Sequence, residues 1–218
     1  MSEYLLSTSG LTKQFGHHKA VNNVDLHVKK GAIYGFIGRN GAGKTTFLKM
    51  ISGLSKPTDG EIQMFGYRNE ELKNVRSRIS CLIEAPGIYG NMSAYHNLAI
   101  KCRLFGINDS KYIENILKIV GLSEVGKKKT KHFSLGMKQR LGIGLALVGE
   151  PDLLVLDEPI NGLDPQGIAE IRDMLLRLKE EQNMTIIISS HILEELSKIA
   201  THYGMSLIHI PSPRDAHE

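Results

Sequence analysis

The sequence predicts an α/β protein: a doubly wound, mainly parallel sheet with antiparallel edge strands, and a helical lobe inserted into it. Three observations lead there. A glycine-rich stretch, Gly38-Arg39-Asn40-Gly41-Ala42-Gly43-Lys44-Thr45-Thr46, separates an apolar run from a helical one. On both sides of it short apolar runs alternate with helical periodicities, the pattern of strands crossed over by helices. Between about residues 85 and 149 the strand signal stops and three helix patterns follow one another.

The elements follow in order. Leu11 to Gly16 ends a first strand, His17-His18-Lys19 reads as a solvent-facing hairpin loop, and residues 21–28 alternate apolar and polar as an exposed edge strand does. Phe15 is read equally well as core or as a ring that stacks on adenine. Residues 32–37 form a buried strand and residues 45–51 a helix ending at Gly53. Lys56-Pro57-Thr58-Asp59-Gly60 is a turn before a short strand at 61–65. A polar helix or turn at 70–78 leads to a strand at 79–83, broken by Glu84-Ala85-Pro86-Gly87. The lobe helices are predicted at 93–104, 110–120 and 134–148. The apolar run at 153–156 is a central parallel strand ending in Asp157-Glu158. A helix at 166–181, a strand at 184–189 and a helix at 191–200 close the pattern, with one more strand allowed at 205–210.

Chemistry concentrates at two places. The glycine-rich stretch fits G-x-x-x-x-G-K-[ST], in which backbone N–H groups converge on phosphate oxygens where a Cβ would obstruct them. Lys44 supplies a mobile positive charge for the β- and γ-phosphates, and Thr45 a hydroxyl for Mg²⁺. The strand before and the helix after it favour this reading over a bare turn, because the helix N-terminus attracts anions. Second, two adjacent carboxylates at the exit of a buried strand are costly unless their charge is used. Asp157 is suited to hold Mg²⁺, and Glu158 to orient a water for attack on a γ-phosphate.

Composition sets the bounds. The chain has 218 residues, 41% hydrophobic and 23% charged, with net charge +4. That allows one domain: a core over about 1–84 and 150–210, a lobe over about 85–149, and an unstructured tail over about 211–218. The basic balance is compatible with a nucleotide, a nucleic acid or an anionic membrane and does not choose among them. The run Lys127-Lys128-Lys129-Thr130-Lys131 reads as a solvated loop rather than a nucleic-acid track. Neither a leader nor a membrane span is legible, so the chain is expected to be cytoplasmic. Cys81 and Cys102 read as buried, reduced thiols.

Phe133-Ser134-Leu135-Gly136-Met137-Lys138-Gln139-Arg140 is on its own a helix cap. Together with the phosphate loop, Asp157-Glu158, Asn161-Gly162-Leu163-Asp164 and Ser190-His191, in this order, it resembles the ATP-binding cassette ATPases over essentially the whole chain. The resemblance implies a P-loop NTPase core and ATP hydrolysis with Mg²⁺. It implies that Phe15 stacks on adenine and that Gly38, Arg39, Asn40, Gly41, Ala42, Gly43, Lys44, Thr45 and Thr46 form the Walker A segment. Residues 153–157 then form the Walker B strand, with Glu158 as the catalytic carboxylate and His191 as the switch histidine. Ser134 and Gly136 match the signature that faces a second subunit's nucleotide, and Asp164 the loop passing between subunits. Thr45, Asp157 and Glu84 are the implied metal ligands.

Glu84 stands where most relatives have glutamine; a carboxylate there still ligates Mg²⁺ but adds negative charge near the γ-phosphate. Leu135 and Met137 replace a glycine and a polar residue of the usual signature. The stretch from Leu82 to Gly87, with Phe-Ser-Leu-Gly-Met, is similar to the bacitracin and lantibiotic resistance exporters. The implied partners are an integral membrane permease and a second ATPase subunit, identical or paralogous, and no nucleic acid. The tail departs from the relatives, and the chain is expected to be a shortened or altered form of a longer protein. A soluble ATPase of this fold acting on ribosomes or DNA is the alternative, followed by a small-molecule kinase.

Overall fold

The computed structural model describes residues 4–205, so the expected tail lies outside the described residues, as does nearly all of the strand allowed at 205–210. Two sheets carry the fold. β1 (Tyr4–Phe15), β2 (His18–Lys29), β4 (Asp59–Met64) and β5 (Tyr67–Arg68) form a wholly antiparallel sheet in the order β2-β1-β4-β5. β3 (Ile33–Ile37), β6 (Ile79–Leu82), β7 (Leu153–Leu156), β8 (Thr185–Ser190) and β9 (His202–Met205) form a parallel sheet in the order β6-β7-β8-β3-β9. The antiparallel strands thus build a sheet of their own rather than edges on the parallel one. The β1–β2 hairpin is tighter than expected, because His18 already pairs with Phe15.

Strand pleating explains how the layers stack. Successive side chains point to opposite faces. Leu153, Val155 and Ile187 accordingly join a core with Phe36, Phe47 and the antiparallel sheet, while Leu154, Leu156, Ile186 and Ile188 join a second core on the other face. The apolar runs 153–156 of β7 and 186–188 of β8 suit strands covered on both sides. The second core continues through α2 (Ala94–Leu104), α3 (Ser110–Ile119) and α4 (Leu135–Leu147) to α5 (Pro165–Gln182). The helical segment and the parallel sheet thus share one apolar interior.

Local chemistry starts these helices where the sequence places them. The Ser93 side chain accepts from the His96 amide, Asp109 from Lys111, Ser134 from Met137 and Asp164 from Gly167. α1 (Lys44–Ile51) differs, having Gly43 at φ 80° before it and no side-chain cap. The helix expected at 191–200 contracts to α6 (Leu193–Ser197), and residues 69–78 form 3₁₀ turns. α6 lies close on β3: a Cβ at Gly35 would stand 2.8 Å from Leu196 and 3.0 Å from Ala200.

Asn97 was not singled out by sequence. It is buried, and its amide donates to the carbonyls of Tyr89 and Ser93 while its oxygen accepts from the Tyr89 N–H. Asn97→Ala strands those groups, so stability is expected to fall by about 1–3 kcal/mol in urea unfolding.

Candidate functional site

Four segments that matter chemically leave the parallel sheet at the same edge. Gly38 follows β3, Glu84 follows β6, Asp157 follows β7 and His191 follows β8. Parallel pairing of these strands puts all their carboxyl ends together, the usual place for ligands in such sheets.

The loop after β3 is anchored by the Gly38 N–H donating to the Ser190 carbonyl at 3.3 Å and by Ala42 N–H to the Arg39 carbonyl at 3.1 Å. Gly41 and Gly43 take φ of 81° and 80°, a left-handed conformation that side chains with a Cβ resist. A Cβ at Gly38 would stand 3.2 Å from Ala42, so the loop is also closely packed. α1 lacks a capping side chain, so the N–H groups of Lys44, Thr45 and Thr46 in its first turn have neither a cap nor an intrahelical partner. Arg39, Asn40 and Gly41 are exposed at its rim.

Lys44 is buried, and its ammonium donates to the carbonyls of Gly38 at 2.7 Å and Arg39 at 3.1 Å. It also lies 3.1 Å from Glu158 Oε1. That approach is poorly aligned and leaves Oε1 a buried acceptor without a hydrogen-bond donor. The other oxygen, Oε2, is 2.8 Å from His191 Nδ1. A carboxylate can only accept, so Nδ1 carries the proton. Glu158 itself has φ 48°, which turns its side chain back toward Lys44 and His191 instead of along the strand.

Asp157 is buried and accepts from two hydroxyls, Thr45 Oγ1 at 2.6 Å and Ser189 Oγ at 2.6 Å. Ser189 also accepts from the Glu158 N–H at 2.9 Å, so one buried hydroxyl sets both carboxylates. Sequence reading passed over Ser189. Its only signal is a polar residue closing the apolar run 186–188. Two carboxylates against one ammonium leave this cluster with net negative charge. Among the described residues, no group of three His, Cys, Asp or Glu side chains is arranged to hold a metal ion by itself. One carboxylate and one hydroxyl, both hard oxygen donors, suit a divalent cation such as Mg²⁺, which keeps several waters and is shared with phosphates.

The remaining predicted residues lie apart from that cluster. Glu84, at φ 66°, is exposed and pairs with Lys49 of α1 at 2.5 Å. An ion pair so open to solvent contributes about 0–1 kcal/mol, which makes it easy to exchange for another partner. Phe15 is 55% exposed, with the Lys13 ammonium 5.1 Å from its ring centre, and this exposure excludes the core reading. Ser134 and Gly136 open α4 beside the 161–167 segment: a Cβ at Gly136 would stand 3.8 Å from Leu163, and one at Gly162 3.4 Å from Leu135. Leu135, at the usual glycine position, thus covers Gly162, close to Asp164. Arg140 and Glu170, 3.2 Å apart, tie α4 to α5.

Of the thiols, Cys102 is buried and Cys81 half-buried. Burial pushes both above the usual thiol range.

The family model for ABC transporters matches residues 21–161. The chain belongs to this family. Among its relatives, the bacitracin transport ATP-binding protein of Bacillus licheniformis is 48% identical over 204 residues, covering 92% of this chain and 66% of the relative. The chain therefore spans just under two thirds of that relative's length. The lantibiotic transport ATP-binding protein of Streptococcus pyogenes is 44% identical over 200 residues, covering 92% of this chain and 86% of the relative.

Solved cassettes agree in fold. cbiO1 of Clostridium perfringens, part of an ABC transporter complex, matches with TM-score 0.84 at 27% identity over 94% of this chain and 85% of its own. An ATP-binding cassette in a dimeric, post-hydrolysis state with ADP and phosphate matches with TM-score 0.77 at 26% identity, over 88% of this chain and 90% of its own. The α/β cassette fold expected from the sequence is therefore the fold of this ABC family chain.

Proposed function

We propose that the chain hydrolyses ATP as the nucleotide-binding subunit of an exporter for antimicrobial peptides of the bacitracin or lantibiotic type, driving a separate membrane permease from the cytoplasmic side. The observation that carries the hydrolytic part is the joining of Lys44, Thr45, Asp157, Glu158 and His191 at one sheet edge. The printed functions of the bacitracin and lantibiotic relatives support the substrate class.

In this reading the loop amides of 41–46 and the Lys44 ammonium bind the triphosphate, while Phe15 stacks on the adenine. Thr45 and Asp157 would hold Mg²⁺, joined by Glu84 if it left Lys49, and the ion would supply charge neutralisation on the phosphate oxygens. Glu158 takes the proton of a water whose oxygen forms the new bond to the γ-phosphorus as the bond to ADP breaks. His191 holds that carboxylate through Nδ1 and fixes its direction. Ser134, Gly136 and Asp164 stand on a separate surface, so one chain presents both a nucleotide loop and a facing element. Two subunits placed head to tail complete two sites, and ATP favours the closed pair by binding it more tightly than the open one.

The permease seat is the groove of about 310 Å³ between β6, α2 and α4, lined by Leu82, Pro86, Tyr89, Lys101, Leu104 and Leu145. No helix among the described residues is long and apolar enough to cross a membrane. Phosphate release from ATP by the purified chain tests the hydrolytic reading directly; none with either subunit arrangement would sink it. Lys44→Ala removes a charged donor, so nucleotide affinity by calorimetry is expected to weaken by about tenfold to a hundredfold.

A further inference from the structure

Two stretches of the lobe, which elsewhere holds Asp109, Glu114 and Glu124, carry a positive charge that nucleotide chemistry does not use. Residues 85–105 and 125–138 contain seven lysines and arginines and no aspartate or glutamate, whereas the whole chain is only +4. Four of the seven, Lys127, Lys128, Lys129 and Lys131, are exposed on one loop and form no ion pair with any described residue. Glu124 is the nearest acid in sequence before them.

The loop is backbone-anchored, so its charges are presented rather than dispersed. Thr130 is fully buried, its N–H donating to the Met92 carbonyl at 2.9 Å and its hydroxyl to the Tyr89 carbonyl at 3.0 Å. The Lys131 N–H donates to the Gly90 carbonyl at 2.9 Å, and Lys129 bridges to Ser93. Asn97 pins the same 89–93 segment from behind. This brings the lysines beside Tyr89, 57% exposed, and Met92, 40% exposed.

We propose that the loop of Lys127, Lys128, Lys129 and Lys131, with Tyr89 and Met92 at its edge, is a docking surface for the anionic headgroups of a lipid bilayer. Lysines are compact point charges on flexible stems, suited to a diffuse anionic plane; paired recognition of single carboxylates is the work of arginine forks. An exposed tyrosine and methionine beside them supply side chains that settle at a membrane–water boundary. Clusters of about four or more such cations bind anionic membranes, with an attraction that fades within about 10 Å at 0.1 M salt. The inference rests on the transporter reading for its membrane, since Tyr89 also lines the groove assigned to the permease.

The test is sedimentation of the purified chain with vesicles of phosphatidylcholine, with and without phosphatidylglycerol, in the absence of any permease. The chain is expected to pellet only with the anionic vesicles and to be released at about 0.5 M salt. The K127Q/K128Q/K129Q/K131Q variant should lose roughly tenfold or more of that partitioning. A control with the same charge change elsewhere, K19Q/K30Q/K73Q/K118Q, should keep it. Equal loss in both variants reduces the effect to net charge and overturns the proposal. So does equal binding to neutral vesicles, or binding of single-stranded RNA through the same four lysines with no vesicle binding. ATP turnover and permease co-purification are read separately, so failure here leaves the transport reading standing, and the reverse.

Discussion

Glu158→Gln is expected to lower ATP turnover by roughly a hundredfold or more while nucleotide binding persists. The amide keeps the size of the side chain but cannot take a proton from the attacking water. Its contacts explain why binding survives. Lys44 is already held by the carbonyls of Gly38 and Arg39, so the loop keeps its shape without the Glu158 charge. Asp157 keeps both hydroxyl donors, because Ser189 and Thr45 do not depend on the Glu158 side chain. Phosphate release read beside calorimetric titration separates the two quantities. Unchanged turnover assigns the proton to another group and removes Glu158 from the chemistry.

The second large effect is on stability. Leu154 is fully buried in β7, paired in register with Ser80 on one side and Ile186 on the other, and its side chain enters the core shared with the helical segment. Leu154→Ala removes buried carbons and leaves a cavity that strands fixed on both flanks cannot close. A loss of about 2–5 kcal/mol is expected, seen as a lower midpoint in urea with an unchanged slope. A loss below about 1 kcal/mol would mean that the sheet relaxes into the space. Nucleotide affinity of the folded variant should stay near that of the parent, because Leu154 packs inside the core shared with the helical segment and not in the cluster of Lys44, Thr45, Asp157, Glu158 and His191.

These two residues also mark what could be read without coordinates. Leu154 sits in an apolar run whose only stable home is a strand covered on both faces, and Glu158 follows it in a context that makes adjacent acids costly. Ser134 could be identified from its neighbours as well, since a cap acts on amides two or three residues away. Ser189 could not. Its value comes from touching Asp157 and the Glu158 amide, 32 and 31 positions distant, and nothing in its neighbours signals that. The pairing of Glu84 with Lys49 and the buried amide of Asn97 were hidden likewise. The final helix was overestimated because its periodicity ran on through residues that the fold uses to return to β9.

Short-range physics, meaning strand and helix periods, caps, glycine conformations and the acid pair after an apolar run, was enough to specify the α/β class, the helical insertion and the residues around the phosphate loop. Strand order 6-7-8-3-9, the independence of the antiparallel sheet and the convergence of four loop ends came from long-range pairing. Spacing along a chain constrains which side of an element is apolar. It does not say which strand will lie beside which, because that choice is settled by how both faces of β7 and β8 find cover at once.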